Sequence, residues 1–112
     1  MINKKDLIAI NIEVGETGEL QNPGSLDFAL EIIRHKKSWL YELSYLVRGI
    51  IVDHSFRDGN KRTALALILT YFNDHDLECD KQKIVHIVHK ISKKNIKDIN
   101  KLMRLIKSGR IC

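Results

Sequence analysis

The sequence predicts an all-α protein, a compact bundle of about six helices forming a single domain over residues 1–112. Proline occurs once, at Pro23, and the 6 glycines leave long stretches without a helix breaker. Within these stretches apolar residues recur every three or four positions, which is the period of a helix. A chain of 112 residues has room for one core, which it can bury without disulfides or a structural metal.

The first two predicted helices are separated by a long turn. Residues 3–14 contain alternating isoleucines that also fit a strand, but a capping asparagine at the start and a glycine behind favour a helix. Residues 15–24 are dense in turn formers. Ser25 is predicted to cap a second helix that starts at Leu26 and ends near residues 35–37.

Four more helices follow. Ser38 is predicted to cap the third, whose apolar stripe would bring His54 to its inward side. After a polar stretch, residues 60–72 are apolar on nearly every side, which predicts a buried central helix. Asp80 is predicted to cap the fifth helix, and apolar residues between positions 96 and 106 indicate the sixth.

Composition excludes several classes of protein. The longest apolar run, residues 64–69, is far shorter than the ~20 residues that cross a bilayer, so no membrane association is expected. The start of the chain lacks the apolar region of a signal peptide. The two cysteines, Cys79 and Cys112, form no disulfide framework or paired metal motif. Together these features predict a cytoplasmic protein.

The positive charge is concentrated in the second half of the chain. Residues 1–56 hold six Lys or Arg against eight Asp or Glu, a charge of −2, whereas residues 57–112 hold thirteen against six, a charge of +7. A basic helical nucleic-acid-binding module is therefore an alternative of another class, although a solvated lysine surface explains the charge as well. Its phosphate contacts would be Lys90, Lys93, Lys94, Lys97 and Lys101.

Chemically useful side chains cluster in residues 54–64, where one predicted helix ends and the buried one begins. The start of a helix presents free backbone N–H groups and a partial positive charge, and Gly59 lets a ligand approach the backbone. Asn60, Lys61 and Arg62 add neutral, ammonium and guanidinium donors within one turn. The pattern predicts a phosphate site. It is not a Walker loop, which needs G-x-x-x-x-G-K-[ST] after a strand.

The remaining residues of this stretch suggest a phosphate-transfer reaction. Asp58 is the nearby carboxylate, and a hard oxygen ligand beside phosphates is how proteins hold magnesium, so Asp58 is the predicted metal ligand. His54 is the candidate base for a hydroxyl nucleophile, because an imidazole can accept a proton at neutral pH. Phe56 is predicted to anchor the loop in the core. Taken singly, these residues also fit an ordinary helix end followed by a capped turn.

These residues resemble a known family. Residues 54–62 read H-S-F-R-D-G-N-K-R and match throughout the signature H-x-F-x-[DE]-[GA]-N-[GK]-R of the Fic/Doc family. Upstream, residues 18–30 are similar to the G-x-x-x-[DN]-P-G-x-L-[DE]-x-A-L segment of Doc, the death-on-curing toxin branch. The resemblance implies a Fic/Doc-like fold. Ser55 stands where the family often has proline. Serine restricts the backbone less than proline does, so the start of the loop is expected to be looser.

Two departures from the AMP-transferring Fic enzymes favour the Doc branch. Those enzymes have glycine at the position of Lys61 and a second arginine at the position of Leu65. For Doc, the resemblance implies that ATP binds in the reverse orientation and gives up its terminal phosphate. The expected activity is therefore a toxin kinase, with Fic-type AMP transfer to a protein hydroxyl as the alternative.

The resemblance also implies roles and partners. His54 would deprotonate a threonine or serine hydroxyl of a target protein, an elongation factor of the Tu type, so that translation stops. Asp58 would hold Mg²⁺, and Arg57 is a candidate contact to the substrate or to the nucleotide. The nucleotide phosphates of ATP would bind Gly59, Asn60, Lys61 and Arg62. An antitoxin of the Phd type is expected to bind in trans, since residues 38–43 match the family's inhibitory helix pattern incompletely.

Overall fold

The computed structural model describes residues 2–35 and 38–111 of the chain. Within these residues it contains six α-helices and no strand, which confirms the all-α prediction. The helices are α1 (Lys4–Glu13), α2 (Pro23–Ile33), α3 (Trp39–Val47), α4 (Asn60–Asp74), α5 (Lys81–Lys94) and α6 (Ile99–Lys107). A π-helical turn of 5 residues, Arg48–Val52, continues directly from α3.

Short polar side chains start four of the helices by accepting a hydrogen bond from a backbone N–H of the first turn. Asn3 and Asp6 form a reciprocal capping box at α1. Ser38 caps α3 and Asp80 caps α5, as the sequence predicted, and Asp98 caps α6. These caps explain why the helices begin where they do.

The predicted start of the second helix is wrong by one turn. Helix α2 begins at Pro23, with Asn22 as the preceding residue, and not at Leu26 after a cap at Ser25. Proline suits the first helical position because its ring fixes φ and the missing N–H has no partner there in any case. The hydroxyl of Ser25 instead lies 2.9 Å from the Asn22 carbonyl and 2.6 Å from the Ser55 hydroxyl. The predicted end of this helix extended to residues 36 and 37, which lie outside the described residues.

The third predicted helix does not continue regularly to His54. Helix α3 ends at Val47, and the π-helical turn carries the chain to Asp53. A π-helical turn contains about one residue more than an α-helical turn. Residues after it therefore point in other directions than the α-helical spacing predicts. The prediction that His54 points toward the core is therefore wrong, because the residue is exposed.

Helix α4 is the central element, as predicted. It contacts α1, α3, α5 and the π-helical turn. Its buried residues are Thr63, Ala64, Leu67, Ile68 and Phe72. Because α4 is held on several sides, its first turn, which carries the polar motif, has a fixed position relative to α1 and to the π-helical turn.

Among the described residues no helix has the length and apolar character that crossing a bilayer requires. Cys79 carries a free thiol, and Cys112 lies outside the described residues.

Candidate active site

The candidate base, His54, follows the π-helical turn in a left-handed conformation. Its φ is 50°, a region that non-glycine residues seldom adopt and that recurs at functional sites. The exposed imidazole lines a pocket at the start of α4. The backbone thus turns this side chain out of the core and toward the polar motif.

Ser55 fastens the loop to the core. It is fully buried, its hydroxyl donates to the Gly49 carbonyl at 2.6 Å, and it lies 2.6 Å from the Ser25 hydroxyl. The Gly49 carbonyl belongs to the π-helical turn, which leaves some carbonyls without the regular helical partner. The expectation that Ser55 loosens the loop is wrong, because its two hydroxyl contacts tie the loop to the π turn and to α2.

The motif loop pairs with the segment that precedes α2. The Ser55 carbonyl accepts the backbone N–H groups of Gln21, at 2.8 Å, and of Asn22, at 3.1 Å. Leu20 and Phe56 form an antiparallel bridge. Phe56 is fully buried and fixes the middle of the loop in the core. The two sequence segments that carry the resemblance are therefore in direct contact.

The side chain of Asn60 closes the motif loop on itself. Its amide oxygen accepts the Phe56 N–H at 2.9 Å, and its amide nitrogen donates to the Phe56 carbonyl at 2.8 Å. One amide hydrogen and the backbone N–H of this first α4 residue remain for a ligand. That Asn60 binds phosphate stays a prediction, and the structure adds a positioning role in the loop.

Asn11 is a structural residue of the site that the sequence patterns did not indicate. Its buried amide nitrogen donates to the Asp58 carbonyl at 3.0 Å and to the Thr63 hydroxyl at 2.9 Å. Its amide oxygen accepts the Gly18 N–H at 2.9 Å. Asn11 thereby joins α1 to both sides of the motif. An available signal was its position four residues after Leu7, on the face of α1 that is otherwise apolar.

The two cations of the motif have different surroundings. Arg62 donates to the Val14 carbonyl at 3.0 Å and forms an ion pair with the carboxylate of Glu16. Lys61 is exposed and forms no ion pair within residues 2–35 and 38–111. Lys61 can therefore meet an anion directly, whereas Arg62 must share its guanidinium with Glu16.

One open pocket of about 370 Å³ brings the predicted site residues together. Its size falls within the range of roughly 300–1,000 Å³ that is usual for small-molecule sites. The predicted residues that line it are His54, Arg57, Asp58, Gly59, Asn60, Lys61 and Arg62. Ile51 and Ser92, which no sequence motif indicated, complete the wall. A base, a carboxylate and cations thus share one cavity at a helix start.

Gly59 and Arg57 complete the geometry of the pocket. Gly59 has a φ of 74°, and a Cβ there would collide with the side chain of Glu16, so this position favours glycine for both its backbone and its surroundings. Arg57 pairs with Glu19 at 3.1 Å on the exposed rim. The rim pair is exposed on both sides, so it contributes little to stability and leaves Arg57 accessible to a ligand.

The residues present fit a divalent cation near Asp58. Its carboxylate lines the pocket and forms no ion pair with any other described residue. Its backbone carbonyl is held by Asn11, which fixes the position of the residue. A carboxylate ligand beside a phosphate site is suited to Mg²⁺, with phosphate oxygens and water as the other ligands.

A larger cavity, of about 520 Å³, lies away from the motif. It is bordered by Glu42, Tyr71 and His75 among other residues, and contains no residue of the 54–64 motif. Burial raises the pKa of Tyr71 to about 12, with the Glu42 and Asp74 charges adding to the shift. Burial also raises the pKa of Glu42, against the charge of His75. Since this cavity lacks the cations that bind phosphates, the candidate active site is the smaller pocket.

A family model described as the Fic/DOC family matches residues 2–72, which is more than half of the chain. The chain belongs to the Fic/DOC family. No curated protein shows a significant match to the sequence. Fic/DOC proteins are transferases that act on nucleotides and modify proteins, and the pocket at the start of α4 has the cations and the carboxylate that such chemistry uses.

The match of this Fic/DOC chain to its family ends within α4, so it includes the whole 54–62 motif and excludes α5 and α6. The lysines that suggested a nucleic-acid-binding module lie beyond the match and are all exposed. They are Lys90, Lys93, Lys94, Lys97 and Lys101. Binding of nucleic acid by these residues stays a prediction.

Proposed function

We propose that this Fic/DOC protein is a toxin kinase of the Doc branch that transfers the terminal phosphate of ATP to a threonine or serine hydroxyl of a target protein. One observation carries the proposal: a single pocket contains His54 and Asp58 together with Lys61 and Arg62 at the start of α4. This set supplies a base, a metal ligand and phosphate-binding cations. The proposed target is a translation elongation factor of the Tu type, whose modification would halt translation.

In the proposed reaction His54 accepts the proton of the target hydroxyl as its oxygen attacks the terminal phosphorus. The new oxygen–phosphorus bond forms while the bond to the oxygen bridging the last two phosphates breaks, and ADP leaves. Lys61, Arg62 and the first N–H groups of α4 stabilise the charge on the phosphoryl oxygens. The N–H groups are already positioned by the start of α4, whereas Arg62 must exchange part of its contact with Glu16 for the phosphate.

Asp58 would hold Mg²⁺ beside the phosphates. When bound, the cation would neutralise charge on the phosphate oxygens of the nucleotide. The contribution of the chain is to hold the carboxylate in place through the contact between the Asp58 carbonyl and Asn11.

Transfer of phosphate is favoured over transfer of AMP by two residues of α4. Lys61 puts a side chain and a positive charge where AMP-transferring relatives have glycine, and Leu65 removes a second arginine that those relatives carry. Leu65 lies one turn after Lys61, so the cations are confined to the first turn of the helix. A short cationic stretch suits the terminal phosphates held close to His54.

The proposed regulation acts in trans, through an antitoxin of the Phd type that covers the site. The segment closest to an inhibitory helix of the family, residues 38–43, contributes Leu43 and the beginning of α3 to the described core. A segment packed in this way is not free to enter the pocket.

The test uses ATP labelled at either the terminal or the α position, incubated with the purified protein and a cell lysate. The proposal expects the terminal label on a protein of elongation-factor size, bound to a hydroxyl, and no transfer of the α label. His54→Ala should lower transfer by at least about 100-fold, the usual loss for a general base, while His86→Ala on the exposed face of α5 is the matched control. Transfer of the α label would contradict the proposal and favour AMP transfer.

A further inference from the structure

A second pocket adjoins the phosphate site between α4 and α5. It encloses about 190 Å³. Its lining residues are Lys61, Arg62, Leu65, Val85, Val88 and His89. Lys61 and Arg62 also line the first pocket, so the two cavities meet at these cations. The wall of the second pocket changes from cationic at that boundary to mainly apolar beyond it.

The spacing of the residues explains why the two helices form this wall. On α4, Leu65 lies four positions after Lys61 and three after Arg62, so all three share one face. On α5, Val85, Val88 and His89 are related by the same intervals. Because α4 and α5 pack against each other, the two faces border a common cavity.

Val85 lies outside the core-facing stripe of α5. The buried residues of that helix are Ile84, Ile87, Val88 and Ile91. Val85 is 40% exposed and is one of four large hydrophobic side chains that are strongly exposed among the described residues. An exposed apolar residue beside an aromatic ring at the mouth of a pocket is suited to contact a flat, partly apolar ligand.

We propose that this second pocket binds the purine base and the adjacent sugar of the nucleotide, an inference that rests on the proposed function. The His89 ring provides a surface on which a base can stack, and Leu65, Val85 and Val88 provide apolar contacts. Lys61 and Arg62, which line both pockets, bind the phosphates that are attached to the sugar. The nucleotide therefore spans both pockets.

This position of the base fixes the direction of the triphosphate. The base lies beyond Lys61 and Arg62, beside Leu65 and His89, whereas His54 and Asp58 line only the other pocket. The phosphate farthest from the base is then the one beside His54 and Asp58. The second pocket thus selects terminal phosphate transfer by holding the opposite end of the nucleotide.

The experiment compares the binding of ATP and of inorganic tripolyphosphate to the full chain, each with Mg²⁺, by calorimetry. Tripolyphosphate has the phosphates without the base. The variants are Val85→Trp, which fills the pocket from an exposed position, and His89→Ala, with His86→Ala as the control on the same helix. We expect both pocket variants to bind ATP about tenfold more weakly, because Val85→Trp occupies the space of the base and His89→Ala removes its stacking surface. Binding of tripolyphosphate should be unchanged, since neither variant alters Lys61 or Arg62. The control should bind both ligands as the parent protein does.

The outcomes separate this inference from the proposed function. If the parent protein binds neither ligand, the nucleotide-dependent function fails, and the inference fails with it. If the parent binds both ligands but the pocket variants retain full ATP affinity, the function stands and the inference is wrong. If Val85→Trp and His89→Ala keep full ATP affinity but transfer less phosphate to the target, the pocket binds the target protein instead. That result also contradicts the inference.

Discussion

Arg62 of the motif is held by Glu16 in the turn that follows α1. The guanidinium forms an ion pair with the Glu16 carboxylate and donates to the Val14 carbonyl at 3.0 Å. The Glu16 side chain is only 19% exposed and lies over Gly59. A phosphate at the start of α4 therefore competes with an internal carboxylate for this arginine.

Glu16→Gln should strengthen nucleotide binding. The substitution keeps the shape of the side chain and its packing near Gly59, but it removes the charge that competes for Arg62. We expect ATP affinity to rise about two- to fivefold, the scale of a partly exposed ion pair. Calorimetric titration with ATP and Mg²⁺ measures the change. Glu13→Gln, an exposed position at the end of α1, is the control. Equal or weaker binding by Glu16→Gln would show that Glu16 does not restrain Arg62.

Gly59→Ala should destabilise the protein. Gly59 has a φ of 74°, where an alanine costs about 1–2 kcal/mol in backbone energy, and the added Cβ would also displace Glu16. The free energy of unfolding, measured with urea, should fall by about 1–3 kcal/mol. Gly24→Ala is the matched control, since Gly24 lies in the first turn of α2 and a Cβ there meets only ordinary contacts. If Gly59→Ala lost no more unfolding free energy than Gly24→Ala, the positive φ and the contact with Glu16 would not be what favours glycine at this position.

Asn60→Ala should weaken both the loop and the reaction. The substitution removes both hydrogen bonds to the Phe56 backbone and leaves a partly buried N–H and carbonyl without partners. Such a change costs about 1–3 kcal/mol of unfolding free energy. Asn73→Ala, at an exposed position near the end of α4, should change stability by less than about 0.5 kcal/mol. Urea unfolding and phosphate transfer are measured on the same preparations. Unchanged stability of Asn60→Ala would mean that the loop does not depend on these bonds.

Glu42→Gln should stabilise the protein at neutral pH more than in acid. Burial raises the pKa of Glu42 in the folded state, so its contribution to stability is complete below the pKa of the unfolded chain. This contribution is lost as the pH rises through the raised pKa of the folded state. Glutamine cannot ionise and avoids the loss. Thermal unfolding should therefore show a larger gain in Tm at pH 7 than at pH 4, with exposed Glu78→Gln as the control. An equal gain in Tm at pH 4 and pH 7 would contradict a raised pKa of Glu42 in the folded protein.

The sequence predicted the helices well because their caps and apolar spacings are local. Ser38 and Asp80 cap helices as expected, and the polar motif does begin the central helix. The start of α2 was misplaced because Ser25 was preferred as a cap over Pro23 as a first helical residue. The predicted direction of the His54 side chain was wrong because the π-helical turn interrupts the α-helical spacing of the apolar residues before it.

Contacts between distant residues could not be predicted from local patterns. Asn11 meets the Asp58 carbonyl and Thr63 across 47 and 52 positions of sequence, and nothing in α1 specifies those partners. The pairing of Glu16 with Arg62 spans 46 positions and is equally invisible. The motif indicated which residues form the site, whereas the tertiary structure determines which of them are free to bind a ligand.

The most direct measurement is a crystal structure of the protein with Mg²⁺ and an ATP analogue that cannot release its terminal phosphate. We expect the terminal phosphate to lie beside His54 and Asp58, with the remaining phosphates over Lys61 and the first N–H groups of α4. An α phosphate beside His54, with the terminal phosphate turned away from it, would contradict phosphate transfer as the activity of this protein.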